Sequence, residues 1–183
     1  FHADMPRVAR EYPVPRAWSE SYGIRRYGYH GLAVRSVSEA FQVQHPGHRR
    51  VVIAHLGGGC SVSALDNGRS LDCSMGFSPL EGLMMATRSG SIDPAACNAI
   101  SRAADLGAGE LLEQLQCNSG LLGVSGHSSD MRRIEVLRAQ GDAQANFAFE
   151  LFAYRARAGI AAAIATLGGL DALIFSGGIG ENS

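Results

Sequence analysis

Val51-Val52-Ile53-Ala54-His55-Leu56-Gly57-Gly58-Gly59 is the stretch on which the reading of this chain turns. Four consecutive apolar residues suit a short strand buried on both faces, and the glycines after them suit a turn at its carboxyl edge. The pattern recurs at Ala172-Leu173-Ile174-Phe175, which runs into Ser176-Gly177-Gly178-Ile179-Gly180. Two such strands bring clusters of unobstructed backbone N–H groups to one edge of a sheet, which makes an anion site. Glycine suits that task because phosphate must approach the backbone closely and because nest conformations demand positive φ. Either turn alone is equally well explained as a sheet edge; the two together point to phosphate.

Outward from the first turn, Ser61-Val62-Ser63-Ala64-Leu65, the turn Asp66-Asn67-Gly68 and Arg69-Ser70-Leu71-Asp72 predict a hairpin, since Asn-Gly accepts positive φ. The first glycine turn therefore lies between two strands, unlike a Rossmann motif or P-loop, where glycines open a helix. Leu32 to Val43 has helical spacing. Asp93-Pro94 starts a helix toward Leu106, Glu110–Gln116 predicts another, and Ser128-Ser129-Asp130 caps one through Ala139. From Ala143 to Leu167 one long helix is expected to pack on the sheet through Phe147, Leu151, Tyr154, Ala158 and Ala162, ending at Gly168-Gly169. Residues 1–30, with Tyr12-Pro13-Val14-Pro15, read as an extended, irregular segment. Strands, a hairpin and crossing helices make the class α/β.

At 183 residues the chain suits one domain, and 46% hydrophobic with 18% charged residues describes a globular protein. A net charge of −1 gives no whole-chain attraction for nucleic acid or membrane. The basic clusters Arg25-Arg26 and His48-Arg49-Arg50 read as solvated surface. Cys60, Cys73, Cys97 and Cys117 are scattered, without zinc-ligand spacing, and suit reduced thiols. With no membrane-length apolar run and no signal pattern, a cytoplasmic location is expected. Every one of the 16 basic residues is arginine. A lysine P-loop, a Schiff base and a lysine general base are thereby excluded, and cationic help for phosphate falls to arginine, histidine, backbone N–H groups or a metal.

Two side chains stand out. Arg88 ends the non-periodic run Met75 to Gly90 among small residues, where its fixed donors could grip a phosphoryl group or simply pair with an acidic neighbour. His30 sits between glycines in Tyr27-Gly28-Tyr29-His30-Gly31 with no triad partner in view, and neither Ser61 nor any cysteine has a visible base.

These segments resemble the acetate kinase family, of the acetate and sugar kinase, Hsp70 and actin superfamily. The match runs through Phe1-His2 with Met5-Pro6, Arg25 to Gly31, His55 to Gly59, Met75 to Pro94, Ser119 to Gly126, Ser128-Ser129-Asp130 and Gly178 to Ser183. Phe77 to Arg88 is its most specific part; butyrate and sugar kinases match it less well. The resemblance implies a ribonuclease H-like domain, a mixed sheet with flanking helices, and direct in-line transfer of the ATP γ-phosphoryl group to acetate. It makes His30 and Arg88 catalytic, with Arg88 also near the substrate carboxylate, and Tyr29 and Pro79 part of the acyl pocket. ATP/ADP is assigned to His55, Leu56, Gly57, Gly58 and Gly59, to Asp130, Met131 and Arg132, and to Gly178, Ile179, Gly180, Glu181 and Asn182. A homodimeric parent and Mg2+ are also implied, the magnesium-associated glutamate falling outside the chain, so no metal ligand is assigned here.

This sequence departs from the family at Gly58, where asparagine is usual, at Tyr29 in place of phenylalanine, at Leu32-Ala33-Val34 in place of Thr-Ser-His, and at Ala86 in place of glycine. The family's amino-terminal domain supplies an asparagine, a substrate-binding arginine and a catalytic aspartate that have no counterpart here. Residues 1–183 are thus expected to be a single, incomplete C-terminal nucleotide-binding domain, inactive by itself. Propionate kinase, and a noncatalytic nucleotide-binding module of the same fold, remain the alternatives.

Overall fold

A computed structural model describes residues 1–182, so Ser183, the last residue of the Gly178 to Ser183 match, lies outside the described residues. Four strands form one mixed sheet in the order β3-β2-β1-β4. They are β1 (Arg50–Leu56), β2 (Cys60–Asp66), β3 (Arg69–Cys73) and β4 (Ala172–Ser176). β1 pairs antiparallel with β2 and parallel with β4, Ile53 lying opposite both Ser63 and Ile174. The β2–β3 turn is the one the sequence predicts, with Asn67 (φ 52°) and Gly68 (φ 76°) both left-handed.

The unbroken apolar run of β1 has its reason in burial on both faces. Val52 and Ala54 face one core with Val62, Ala64, Met85, Leu121, Ile134 and Phe152. Val51 and Ile53 face the other with Leu65, Val34 and Phe41 of α3 (Gly31–Gln44). At the sheet's far end Asp171 accepts the Arg49 and Arg50 backbone N–H groups (3.0 and 2.8 Å) and an Arg50 guanidinium N–H (2.6 Å), tying β4 to β1.

Helices α4 (Pro94–Ala104), α5 (Ala108–Cys117), α6 (Gly120–Ser125), α7 (Met131–Ala139) and α8 (Ala143–Leu167) follow the hairpin. Asp93, Asp130 and Asp142 each cap their helix by accepting a backbone N–H. Gly168 ends α8 in the left-handed region, as expected.

Three expectations are corrected. Most of the α8 face named from sequence points outward: Phe147 and Tyr154 are 54% and 55% exposed and Ala158 and Ala162 are exposed, while Leu151 packs against the core and Ala145, Ala148, Phe152, Ala156 and Ala163 are buried. An alanine-rich helix is apolar all round, so only the shape of the sheet selects the stripe that packs. The leading segment is not wholly irregular. It holds a 3-10 turn (His2–Asp4), α1 (Arg7–Arg10) and α2 (Arg16–Tyr22), with Pro6 and Pro15 immediately preceding the two α-helices, where a missing N–H costs nothing. Finally, Gly177–Gly180 is not an open loop but a helical turn, α9.

Candidate functional site

β1 delivers the Gly57-Gly58-Gly59 turn, and β4, in register with it, delivers Gly177 one position beyond the His55–Ser176 pair. Gly57 donates its N–H to Gly59 O (3.1 Å), leaving the Gly58 and Gly59 N–H groups without a backbone acceptor among the described residues. The two turns touch, since a Cβ on Gly57 would lie 3.8 Å from the Gly178 nitrogen. Gly177 has φ 81°, and a side chain there would meet Leu56 O at 2.6 Å. His55 Nδ1 and Ser176 Oγ, 3.1 Å apart, lace the strand ends together.

Between these turns and the start of α7 lies a cleft of about 620 Å³. Gly57, Gly58, Gly178, Ile179 and Asn182 line one side. Ser129, Asp130, Met131, Arg132 and Glu135 line the other, with Ala86 at the base. The three nucleotide segments named from sequence therefore meet in one place, but not every residue in them faces it. Leu56 and Gly180 line an apolar groove against α8, and Met131 is largely core. Glu181 caps α9 by accepting the Gly177 N–H (3.1 Å), and Asp130 pairs with the exposed Arg132 (2.7 Å).

Gly59 lies one residue along the turn, and His30 and Arg88 converge on it. A Cβ at residue 59 would be 3.0 Å from His30 Nε2 and 3.3 Å from Arg88 Nη1. His30 precedes α3 with left-handed backbone (φ 60°), and its Nδ1 lies 3.0 Å from the buried Ser61 Oγ. Its ring centroid is 4.7 Å from that of His55. Burial, and then the neighbouring His55 and Arg88 charges, push His30 down to about 4, and burial lowers His55 as well. Both rings are neutral at pH 7.

Arg88 sits on a loop stitched down on two sides. Ala86 N donates to Gly58 O (3.2 Å), while Ser119 N and Leu121 N donate to Thr87 O and Met85 O (both 2.9 Å). Arg88 Nη1 donates weakly to Pro79 O (3.4 Å), and among the described residues Arg88 makes no ion pair. The simple pairing with an acidic neighbour is therefore not seen. Tyr29 lines a separate cleft beside His30 and donates its hydroxyl to Phe77 O (2.9 Å), two residues from Pro79.

The sequence reading gave Ser61 no basic neighbour, and the structure corrects this by setting His30 against it. Part of that was within reach: a hairpin centred on Gly58 puts Ser61 opposite His55, as observed. The contact to His30 crosses 31 positions and has no local signature. Ser129 and Glu135 were also missed. Glu135 follows Met131 by one helical turn and so shares its face. Arg26, read as solvated, is mostly buried and paired with Asp72 and Glu81 (3.5 and 3.9 Å). Among the described residues no group of three His, Cys, Asp or Glu side chains could hold a metal ion, and no helix is long and apolar enough to cross a membrane.

The sequence model of the acetokinase family matches residues 1–183. This chain belongs to the acetokinase family. Among its relatives are an acetate kinase of Nostoc punctiforme, 48% identical over the whole of this chain and 46% of the relative, and acetate kinase 1 of Neisseria meningitidis, 47% identical over 47% of the relative. Solved structures of Porphyromonas gingivalis acetate kinase and a Francisella tularensis propionate kinase superpose with TM-scores of 0.96 and 0.94 at 40% and 42% identity. Each superposition covers all of this chain and 46% or 47% of the other. The acetokinase chain described here thus spans about half the length of its relatives, and its mixed sheet with flanking helices is of the ribonuclease H-like class expected.

Proposed function

We propose that this chain is the nucleotide-binding portion, most of the C-terminal domain, of an ATP-dependent carboxylate kinase that transfers the γ-phosphoryl group reversibly to acetate. The observation that carries this reading is the convergence of His30 and Arg88 on Gly59, the neighbour in the chain of Gly57 and Gly58, which line the cleft with Gly178. In-line phosphoryl transfer asks a protein for position and charge stabilisation rather than a covalent intermediate. Here the Gly58 and Gly59 N–H groups face phosphate oxygens, and the Arg88 fork, unpaired with a carboxylate among the described residues, takes the equatorial oxygens of the group in flight. His30 stays neutral and, in the tautomer proposed, accepts from the Ser61 hydroxyl at Nδ1 and donates from Nε2. The Asp130–Arg132 segment borders the adenosine, and Tyr29 with Pro79 borders the acyl tail.

No metal ligand is assigned among the described residues, and magnesium is proposed to enter with the phosphates of the nucleotide. The parent is proposed to be a cytoplasmic homodimer with no nucleic-acid or membrane partner. In the complete enzyme Arg88→Ala is expected to lower kcat about 100-fold or more, in line with loss of a charge-stabilising donor. An unchanged kcat would remove Arg88 from the mechanism. The isolated chain is expected to bind Mg-ADP weakly by calorimetry and to form no acetyl phosphate. Propionate is the alternative acceptor, and kcat/KM of the complete enzyme for the two acids decides between them.

A further inference from the structure

The Arg88 guanidinium meets Met85 Sδ (3.7 Å) and the Pro79 carbonyl (3.4 Å), and the Phe77–Pro79 turn that carries this carbonyl is itself held by the leading segment. Tyr12 Oη accepts the Phe77 N–H (2.8 Å) and donates to the Glu81 carboxylate. Glu81 is paired in turn with Arg26, whose guanidinium also meets Asp72 and donates to Cys73 O. Arg26 is anchored at its backbone by Arg10 O (2.7 Å), and Tyr27 N donates to Gly76 O (3.0 Å). Gly76 is buried, and any side chain there would collide with both Tyr12 Oη and Glu81. The strand of contacts therefore runs from Arg26 and Glu81 through Tyr12 to Phe77, and from Pro79 O to Arg88.

We infer that Tyr12, Glu81 and Arg26 are positioning residues that set the aim of Arg88 by fixing the Phe77–Pro79 turn. This rests on the proposed role of Arg88. None of the three reaches the reacting atoms. Burial and Glu81 raise the Tyr12 hydroxyl to about 12, so it keeps the proton it donates throughout the working pH range. A turn freed to shift by an ångström would carry the Pro79 carbonyl, and with it the guanidinium, off the phosphoryl group.

The test is steady-state kinetics of the complete enzyme bearing Tyr12→Phe, Glu81→Gln, Arg88→Ala, and Tyr12→Phe combined with Arg88→Ala. Tyr12→Phe is expected to lower kcat about 10- to 100-fold, the range for a small misplacement of a catalytic group. KM for the nucleotide should stay within about twofold, because the nucleotide cleft lies elsewhere. Glu81→Gln, which still accepts from Tyr12, should be the milder of the two. On the Arg88→Ala background Tyr12→Phe should add almost nothing, since residues that act as a unit are not additive. If Tyr12→Phe multiplies the Arg88→Ala loss in full, the clamp is only structural and the inference fails. If Tyr12→Phe leaves kcat unchanged while Arg88→Ala abolishes it, the inference fails and the proposed function stands. If Arg88→Ala itself is without effect, the functional reading fails, and the clamp with it.

Discussion

His30 Nδ1 lies 3.0 Å from Ser61 Oγ, and Ser61 is fully buried in β2, beside the turn that faces the cleft. The serine is too enclosed to be a nucleophile, so its part is to hold the imidazole. Ser61→Ala is expected to lower kcat about 10-fold with little change in nucleotide KM, and to cost about 1–3 kcal/mol of stability by leaving a buried ring nitrogen unpaired. Kinetics and chemical denaturation measure the two effects. A wild-type kcat would mean that packing alone orients His30.

The lowered values of His30, His55 and His2 share one sign. Each group is harder to protonate folded than unfolded, so the unfolded state binds more protons below the ordinary value of about 6.5. The stability these groups confer is complete above that pH and is lost as pH falls, for His30 down to about 4. Thermal midpoints of the chain should therefore decline between about pH 6.5 and 4. His30→Gln should flatten part of that decline, and an identical slope would contradict the assigned shift.

Gly59→Ala puts a methyl group 3.0 Å from His30 Nε2 and 3.3 Å from Arg88 Nη1. The backbone there is not left-handed, so the expected damage is to the site rather than to folding. In the complete enzyme kcat, measured by steady-state kinetics, should drop about 10- to 100-fold.

Gly58 is the opposite case, since nothing lies within 4 Å of a Cβ at that position. Gly58→Asn should be accepted without strain and should bring a side-chain amide to the cleft. One added hydrogen bond, worth about 0.5–1.5 kcal/mol, predicts roughly 2- to 12-fold tighter ADP binding. Weaker binding would mean that the amide points away from the phosphates.

Ile53, fully buried at the centre of β1, tests the sheet itself. Ile53→Ala is expected to cost about 2–5 kcal/mol, seen as a fall of roughly 4–20 °C in Tm.

Local chemistry made much of this legible in advance. Apolar runs ending in glycine announce β1, β4 and their turns, but only β1 has the burial on both faces that such a run suggests: β4 is the sheet's edge among the described residues, with Leu173 and Phe175 exposed. Asn67-Gly68 announces its turn through φ, and Asp93 and Asp130 announce their helices by capping. Arg88 and His30 stood out by their settings, and the absence of lysine narrowed what could meet a phosphate.

Other features depended on chain segments far apart in sequence. Which stripe of α8 is buried follows from the sheet beneath it, as an alanine-rich helix carries little preference of its own. That His30 meets Ser61, that both His30 and Arg88 reach Gly59, that Tyr12 bonds Phe77 and Glu81, and that Arg26 pairs with Asp72 and Glu81 are contacts between segments 29 to 69 positions apart. Such contacts carry no periodicity, because a side chain's partner across the core is chosen by the path of the backbone, not by its neighbours in the chain. Residue types and turn chemistry settled the elements and the kind of site; the packing of distant segments settled which atoms face one another within it.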